Sequence, residues 1–547
     1  MSLIDTRKRR KKHKKRPRRK VVTQAVKTPA PKPAPKPAPV TTAPKPVTTP
    51  TPTPSTTPTT PSTPTTTPTQ PAATGLPTTR ERLLLNRLGT GYTTTALTAL
   101  RSVGGPDQWL EQQLKPETVP EHPFVATIDS WFPRLRRTAL AQWNSQLNGE
   151  PDGWLQGHDL GNWSILRRVY SRRSVLETMV ELWSNHLNIP VSNQLNSWVW
   201  RSDYDTTIRK YALGRYEDLL IATALHPAMS LYLDNWRSTK GKLNENQGRE
   251  LLECHTVGQE AGYTEDMVKA SAILLSGYTV DWLKTFEPRY DATAHATGPV
   301  RVLGFSHANA DSDGRGATLA YLKYLANHPE TARRIATTIA TSFVRDDPSD
   351  ALVSALAQVY LDSGTDTAAV LRALVQHPEF LTSEGLKVRP PFADLVATAR
   401  VLEVDVNLAP SGSAWSFQAN YTMKPAVYTW MRPDGAPPTN GAWSSVPRML
   451  NSYAMHADQS SGSWPKGAAY RTSASWLPTP SVRLDALVDH LCRQWLGRPA
   501  DAQRIAAACA ATKLPASEVL TATHAVIRWE FHRLAAVLLD SPDHMTT

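Results

Sequence analysis

The stretch "RERLLLNRLGTGYTTTALTALRSVGGPDQWLEQQL", Arg80 to Leu114, sets the fold class. Leu84, Leu85 and Leu88 form one apolar stripe at helical spacing; Leu97, Leu100 and Val103 form the next. "GGP" at Gly104–Pro106 then ends that helix and opens another carrying Trp109 and Leu110. The pattern recurs downstream in "SVLETMVELWSNHL", "TTIRKYALGRYEDLLIATAL", "ETARRIATTIATSFV" and "DALVSALAQVYLDS". Short strands fit around "GPVRVLGF", but no strand–helix–strand rhythm appears. The expectation is a mainly α body over 81–547, a large multi-helix unit with long irregular loops.

Upstream of that stretch the composition changes. Residues 1–20 hold twelve Lys/Arg against one acid, Asp5, and residues 21–80 add five Lys/Arg and no acid. The remaining 44 basic and 47 acidic residues leave the body at about −3, so the net charge of +13 belongs to the tail. Residues 21–80 are a Pro/Thr-rich linker with almost no large apolar residue, too little to offset the entropy of ordering, so a disordered arm is expected. The polycationic tail is suited to polyanions (nucleic acid, an anionic wall polymer or a membrane surface) through non-specific counterion release. Behind the basic run no apolar stretch has the length of a secretory signal, and no run of about 18 apolar residues appears for a membrane span.

Four His-Pro dipeptides, at His122, His226, His328 and His377, punctuate the helical runs. They are expected to mark helix–helix corners, with each His in the last turn of the helix before and Pro in the first turn of the next. Cys254, Cys492 and Cys509 are too few and too scattered for a disulfide framework. Residues 407–478 are rich in Trp, Ser, Gly and Pro, with turn chemistry at "RPDG" and "APPTNG", and are expected to be a loop-rich insertion. "HANADSDGRG", His307–Gly316, lacks the full calcium-loop ligand set and is expected to be an Asx-turn loop.

The chemistry-bearing stretch is "NENQGRELLECHTVGQEAGYT", Asn244 to Thr264. On a regular helix Asn246, Arg249, Glu250 and Glu253 share one face, while His255 falls on the other. Glu250 and Glu253 could form a carboxylate pair for acid–base work, joined by His186 or His226 from neighbouring helices, with Arg249 beside them and Asn246 and His255 in support. The competing reading is structural: ion pairs Glu245–Arg249 and Arg249–Glu253 at i,i+4. Neither a cofactor nor a metal is identified by the residues alone.

"IRKYALGRYEDLLIATALHPAMSLYLDN" (Ile208–Asn235), the Asn244 stretch and its continuation to Asp281, "WSNHL" (Trp183–Leu187) and the blocks around His328 and His377 together resemble the bacterial domain-of-unknown-function family numbered 1800. The likeness runs in order from about residue 83 to 543. It departs at Cys254, Ala261 and "SGYTVD", leaving the polar residues intact. The resemblance implies a helical bacterial protein, often exported or envelope-associated in relatives, with no established activity. Two functions are then open: a hydrolase on an envelope polymer using Glu250, Glu253, His186 and His226, or a non-catalytic surface or scaffold protein tethered by its basic arm.

Overall fold

A computed structural model describes residues 75–192, 196–282, 284–405, 428–464 and 468–547. Residues 1–74, and with them the tail and most of the linker, lie outside the described residues, as do 406–427 of the Trp-rich segment.

The body is mainly α. Its first helix, Thr79–Leu83, begins with a capping box: the Glu81 amide donates to Thr78 Oγ1 at 3.2 Å and the Thr78 amide to the Glu81 carboxylate at 2.7 Å. The helix widens into a π turn, Leu84–Leu88, that buries all three leucines. Thr93 caps the next helix, Thr94–Ser102, which buries Leu97 and Leu100. Gly104 and Gly105, at φ +106° and +107°, break it, and Pro106 starts the helix that buries Trp109 and Leu110.

Two main cores result. One gathers the helices from Leu83 to Leu114 and from Val175 to Phe380. The other joins the helices Phe124–Trp131 and Asp152–Tyr170 to those of the C-terminal third. Among the described residues the strands form three two-stranded antiparallel sheets, one pairing Val300–Val302 with Phe305–His307 where "GPVRVLGF" allowed it. Among the described residues no helix is long and apolar enough to cross a membrane.

Two details differ from the sequence reading. The Trp-rich segment contains a 15-residue helix, Val446–Ser460. Its buried stripe is Arg448, Ser452, Met455, His456 and Gln459, polar at every position but Met455, so hydrophobic periodicity does not reveal it. The His-Pro histidines also act on the following helix instead of the preceding one. A residue before Pro is driven to extended backbone, and His226 sits at φ −71°, ψ 138°. From there Nδ1 accepts the second amide beyond it: Phe124 to His122, Ala228 to His226, Glu330 to His328 and Glu379 to His377, all at 3.1–3.2 Å. Such a cap needs an unprotonated Nδ1.

At "HANADSDGRG" the Asp313 amide donates to Asp311 Oδ1 at 2.9 Å, an Asx turn, and Arg315 pairs with Asp313. The three cysteines are free thiols.

Candidate functional site

The signature stretch is a short helix, Asn246–Glu250, running into a π turn, Leu251–His255. Gly248 explains the close seat of this helix: a Cβ there would stand 2.9 Å from the Ala272 amide nitrogen and 3.0 Å from the Val268 carbonyl oxygen. Gln247 is buried and donates to the Ala224 carbonyl at 2.5 Å. Arg249 forks onto Glu265 at 2.7 and 2.6 Å and lies 4.0 Å from Glu245. Glu253 accepts from Gln259 at 2.5 Å and from Tyr263 at 3.3 Å. Glu250 accepts from the Cys254 thiol at 3.1 Å, and burial together with that carboxylate pushes the thiol pKa up. Asn246 is exposed, its amide donating weakly to the Leu233 carbonyl at 3.4 Å.

The imidazoles are engaged elsewhere. Tyr216 donates its hydroxyl to the His255 carbonyl at 2.5 Å, so the 3.1 Å contact between Tyr216 and His186 Nε2 is a donation from His186. His186 is therefore the Nε2–H tautomer, and burial, with Arg334 adding to it, drives its pKa down to about 3. The same two causes bring His255 to about 3, and its Nε2 finds no hydrogen-bond partner among the described residues. His226 is spanned between the Ala228 amide and Asp203, 3.0 Å from Nε2, with burial lowering its pKa. His186 and His255 thus meet through Tyr216, while Glu250 and Glu253 bond to Cys254, Gln259 and Tyr263.

Among the described residues, one group of His, Cys, Asp and Glu side chains is close enough to share a cation: Asp394, His456 and His544, with ligand atoms within 4.8 Å. The donor atoms are already paired. Asp394 Oδ1 lies 3.1 Å from His456 Nε2, His456 Nδ1 lies 2.7 Å from Asp540, and Thr398 lies 2.9 Å from His544 Nε2. Ser452 and Arg448 hold Asp394 Oδ2 at 2.6 and 3.4 Å. Burial opposes charge on Asp394, yet His456 and then His544 hold its carboxyl well below the usual range. Burial likewise opposes protonation of His456, but Asp394 and Asp540 carry its pKa up to about 9. A dication would stand beside the His456 imidazolium and Arg448, so these residues form a buried ion-pair network that locks together the helices Pro391–Val401, Val446–Ser460 and Pro542–Met545.

A cavity of about 240 Å³, with room for a small ligand, lies between the two cores. Its walls come from residues 86–90, from the helix Ser174–His186 with Asn188, from 387–396 and from part of the Trp-rich segment. Glu250, Glu253, His186 and His226 are not in its wall. The "WSNHL" motif ties down the segment that covers it. Asn185 exchanges two hydrogen bonds with the Ala436 backbone, at 2.8 and 2.7 Å, and Asn188 donates to the carbonyls of Trp430 and Arg432, both at 2.8 Å. Gly435, in "RPDG", sits at φ +72°, and a Cβ on it would fall 2.1 Å from the Asn185 carbonyl oxygen. Gly435→Ala is expected to cost about 2–3 kcal/mol from strain and backbone clash together. Urea unfolding checks the cost, and hydrogen exchange should rise over 428–443.

The sequence reading missed Arg87, Arg168, Lys387 and Arg389 as a group, because Arg87 and Arg168 are far in the chain from each other and from the Lys387–Arg389 stretch. The family described as "Protein of unknown function (DUF1800)" matches residues 83–546. No curated protein and no solved structure matches the chain. With nearly the whole described body inside that match, the chain belongs to this family of unknown function.

Proposed function

We propose that the chain is a non-catalytic binding or scaffold protein whose basic arm holds the helical body on a polyanion. The observation that carries this reading is the state of the imidazoles. His186 and His255 are neutral and buried in the core, and His226 serves as a helix cap, so none is poised for proton transfer near neutral pH. The twelve Lys/Arg of residues 1–20, set against a body near neutrality, make the arm the natural attachment. A full-length variant with those twelve residues replaced by Gln is expected to lose binding to DNA or to anionic vesicles. Wild-type affinity should fall steeply with salt, with a log–log slope on the order of −5 to −10 on DNA. Salt-independent binding, or equal binding by the variant, removes this reading.

A hydrolase acting on an envelope polymer through Glu250 and Glu253 is the second reading. What favours it is that both carboxylates are half-buried at a π turn, an irregularity frequent at functional sites.

A further inference from the structure

The cavity between the two cores carries more positive charge than its own walls neutralise. Arg87, Arg168, Lys387 and Arg389 line it, and Glu181 is the one acidic side chain among its lining residues. Arg87 has no carboxylate side chain as a partner: it donates to the main-chain carbonyls of Phe343, Val344 and Ser383 and to the main-chain oxygen of the last residue, Thr547, at 2.6–3.2 Å. Arg389 donates to the His544 carbonyl and to Asn86. Arg168 pairs with Glu181 and lies 4.6 Å over the Phe392 ring, and Lys387 pairs with Asp346. Burial pulls the pKa of Arg87 down to about 9 and those of Arg168 and Arg389 to about 10, a sign that these charges are under-compensated.

Polar atoms are also left over. Thr90 Oγ1, Ser184 Oγ and Trp430 Nε1 belong to lining residues, are shielded from solvent, and have no hydrogen-bond partner among the described residues. A buried polar group without a partner carries its full desolvation cost, so two hydroxyls and an indole N–H together call for an acceptor. The remaining wall is apolar and aromatic, with Phe343, Leu182, Val396 and Trp443.

We propose that this cavity binds a small organic acid, a carboxylate or phosphate monoester on a compact apolar body. The anionic head takes the Arg87–Arg168–Arg389 side and the Thr90 and Ser184 hydroxyls, and the body packs on the aromatic wall. Few well-placed polar groups in an apolar hollow is the usual make-up of a ligand site. The proposal does not depend on how the arm attaches the body.

The test is isothermal titration of the full chain with phenylphosphate, phenylacetate, inorganic phosphate and the neutral phenylacetamide. At least one aromatic acid is expected to bind at least about tenfold more tightly than the amide and than inorganic phosphate. The stronger of the two acids identifies the head group. Thr90→Val, which keeps the shape and removes an unpaired hydroxyl, should weaken binding severalfold without lowering Tm. Ala393→Phe, which fills the cavity from its wall, should abolish it. Arg168→Met should weaken binding at least about tenfold, with partial recovery in Arg168→Lys. Equal affinity for acid and amide, no binding by either aromatic acid, or binding unaltered in both Thr90→Val and Ala393→Phe overturns the proposal.

Discussion

Asp394→Ala is expected to cost about 3–5 kcal/mol of folding stability, because it strips a buried ion-pair network of its central anion. Asp394 is fully buried and receives His456, Ser452 and Arg448 at once, with His544 3.6 Å away. Its removal leaves an imidazolium and a guanidinium in the interior, with the half-buried Asp540 as the remaining acid near His456. Urea unfolding measures the loss. Asp394→Leu combined with His456→Leu should cost less than the sum of the two single changes, since the double change removes both charges. Additive costs, or a single-variant loss under about 1 kcal/mol, would show that the network does not lock the three helices.

The second large effect is acid lability well above the carboxylate range. His186 and His255 titrate near 6.5 when unfolded and near 3 when folded. Between those values the unfolded chain binds the extra protons, so stability is full above about pH 6.5 and falls as pH drops. Each of the two should remove up to about 1.4 kcal/mol per pH unit. Over pH 6.5 to 5 ordinary carboxylates scarcely titrate, so a loss there belongs to the imidazoles. His456 carries the opposite sign: its contribution is present below about pH 6.5 and fades as pH rises through about 9. Chemical denaturation at pH 7, 6 and 5 checks the slope, and His255→Gln should flatten it. A flat profile across that window would contradict the neutral, core placement of both rings.

The helical class was legible because the deciding stretch buries leucines at helical spacing and spells its own stops in "GGP". The His-Pro corners were legible as corners, but the direction of the cap was not. It depends on a ring nitrogen reaching forward, which becomes apparent once the residue before Pro is placed in extended backbone. The helix Val446–Ser460 was hidden because a polar stripe can be buried when its partners arrive from residues 394 and 540, far away in the chain. On the signature stretch, the shared face of Asn246, Arg249, Glu250 and Glu253 assumed a regular helix, and the π turn at Leu251–His255 changes the spacing from residue 251 onward. The Glu245–Arg249 pair is present at 4.0 Å, but Arg249 turns its fork to Glu265, a residue no local rule connects to it. The cavity was out of reach for the same reason: its cations come from residues 87, 168, 387 and 389, and only the packing of the two cores assembles them.

The cavity between the cores is the proposed ligand site, and the polar signature around Glu250 is proposed to hold structure together. The decisive measurement is titration of the tighter-binding of the two aromatic acids into the wild-type chain, the Glu250→Gln/Glu253→Gln variant and the Ala393→Phe variant. The double Gln variant is expected to bind as the wild type does, and Ala393→Phe is expected not to bind. Loss of binding in the Gln variant with retention in Ala393→Phe, or no binding of either acid to the wild type, would overturn this placement of the site.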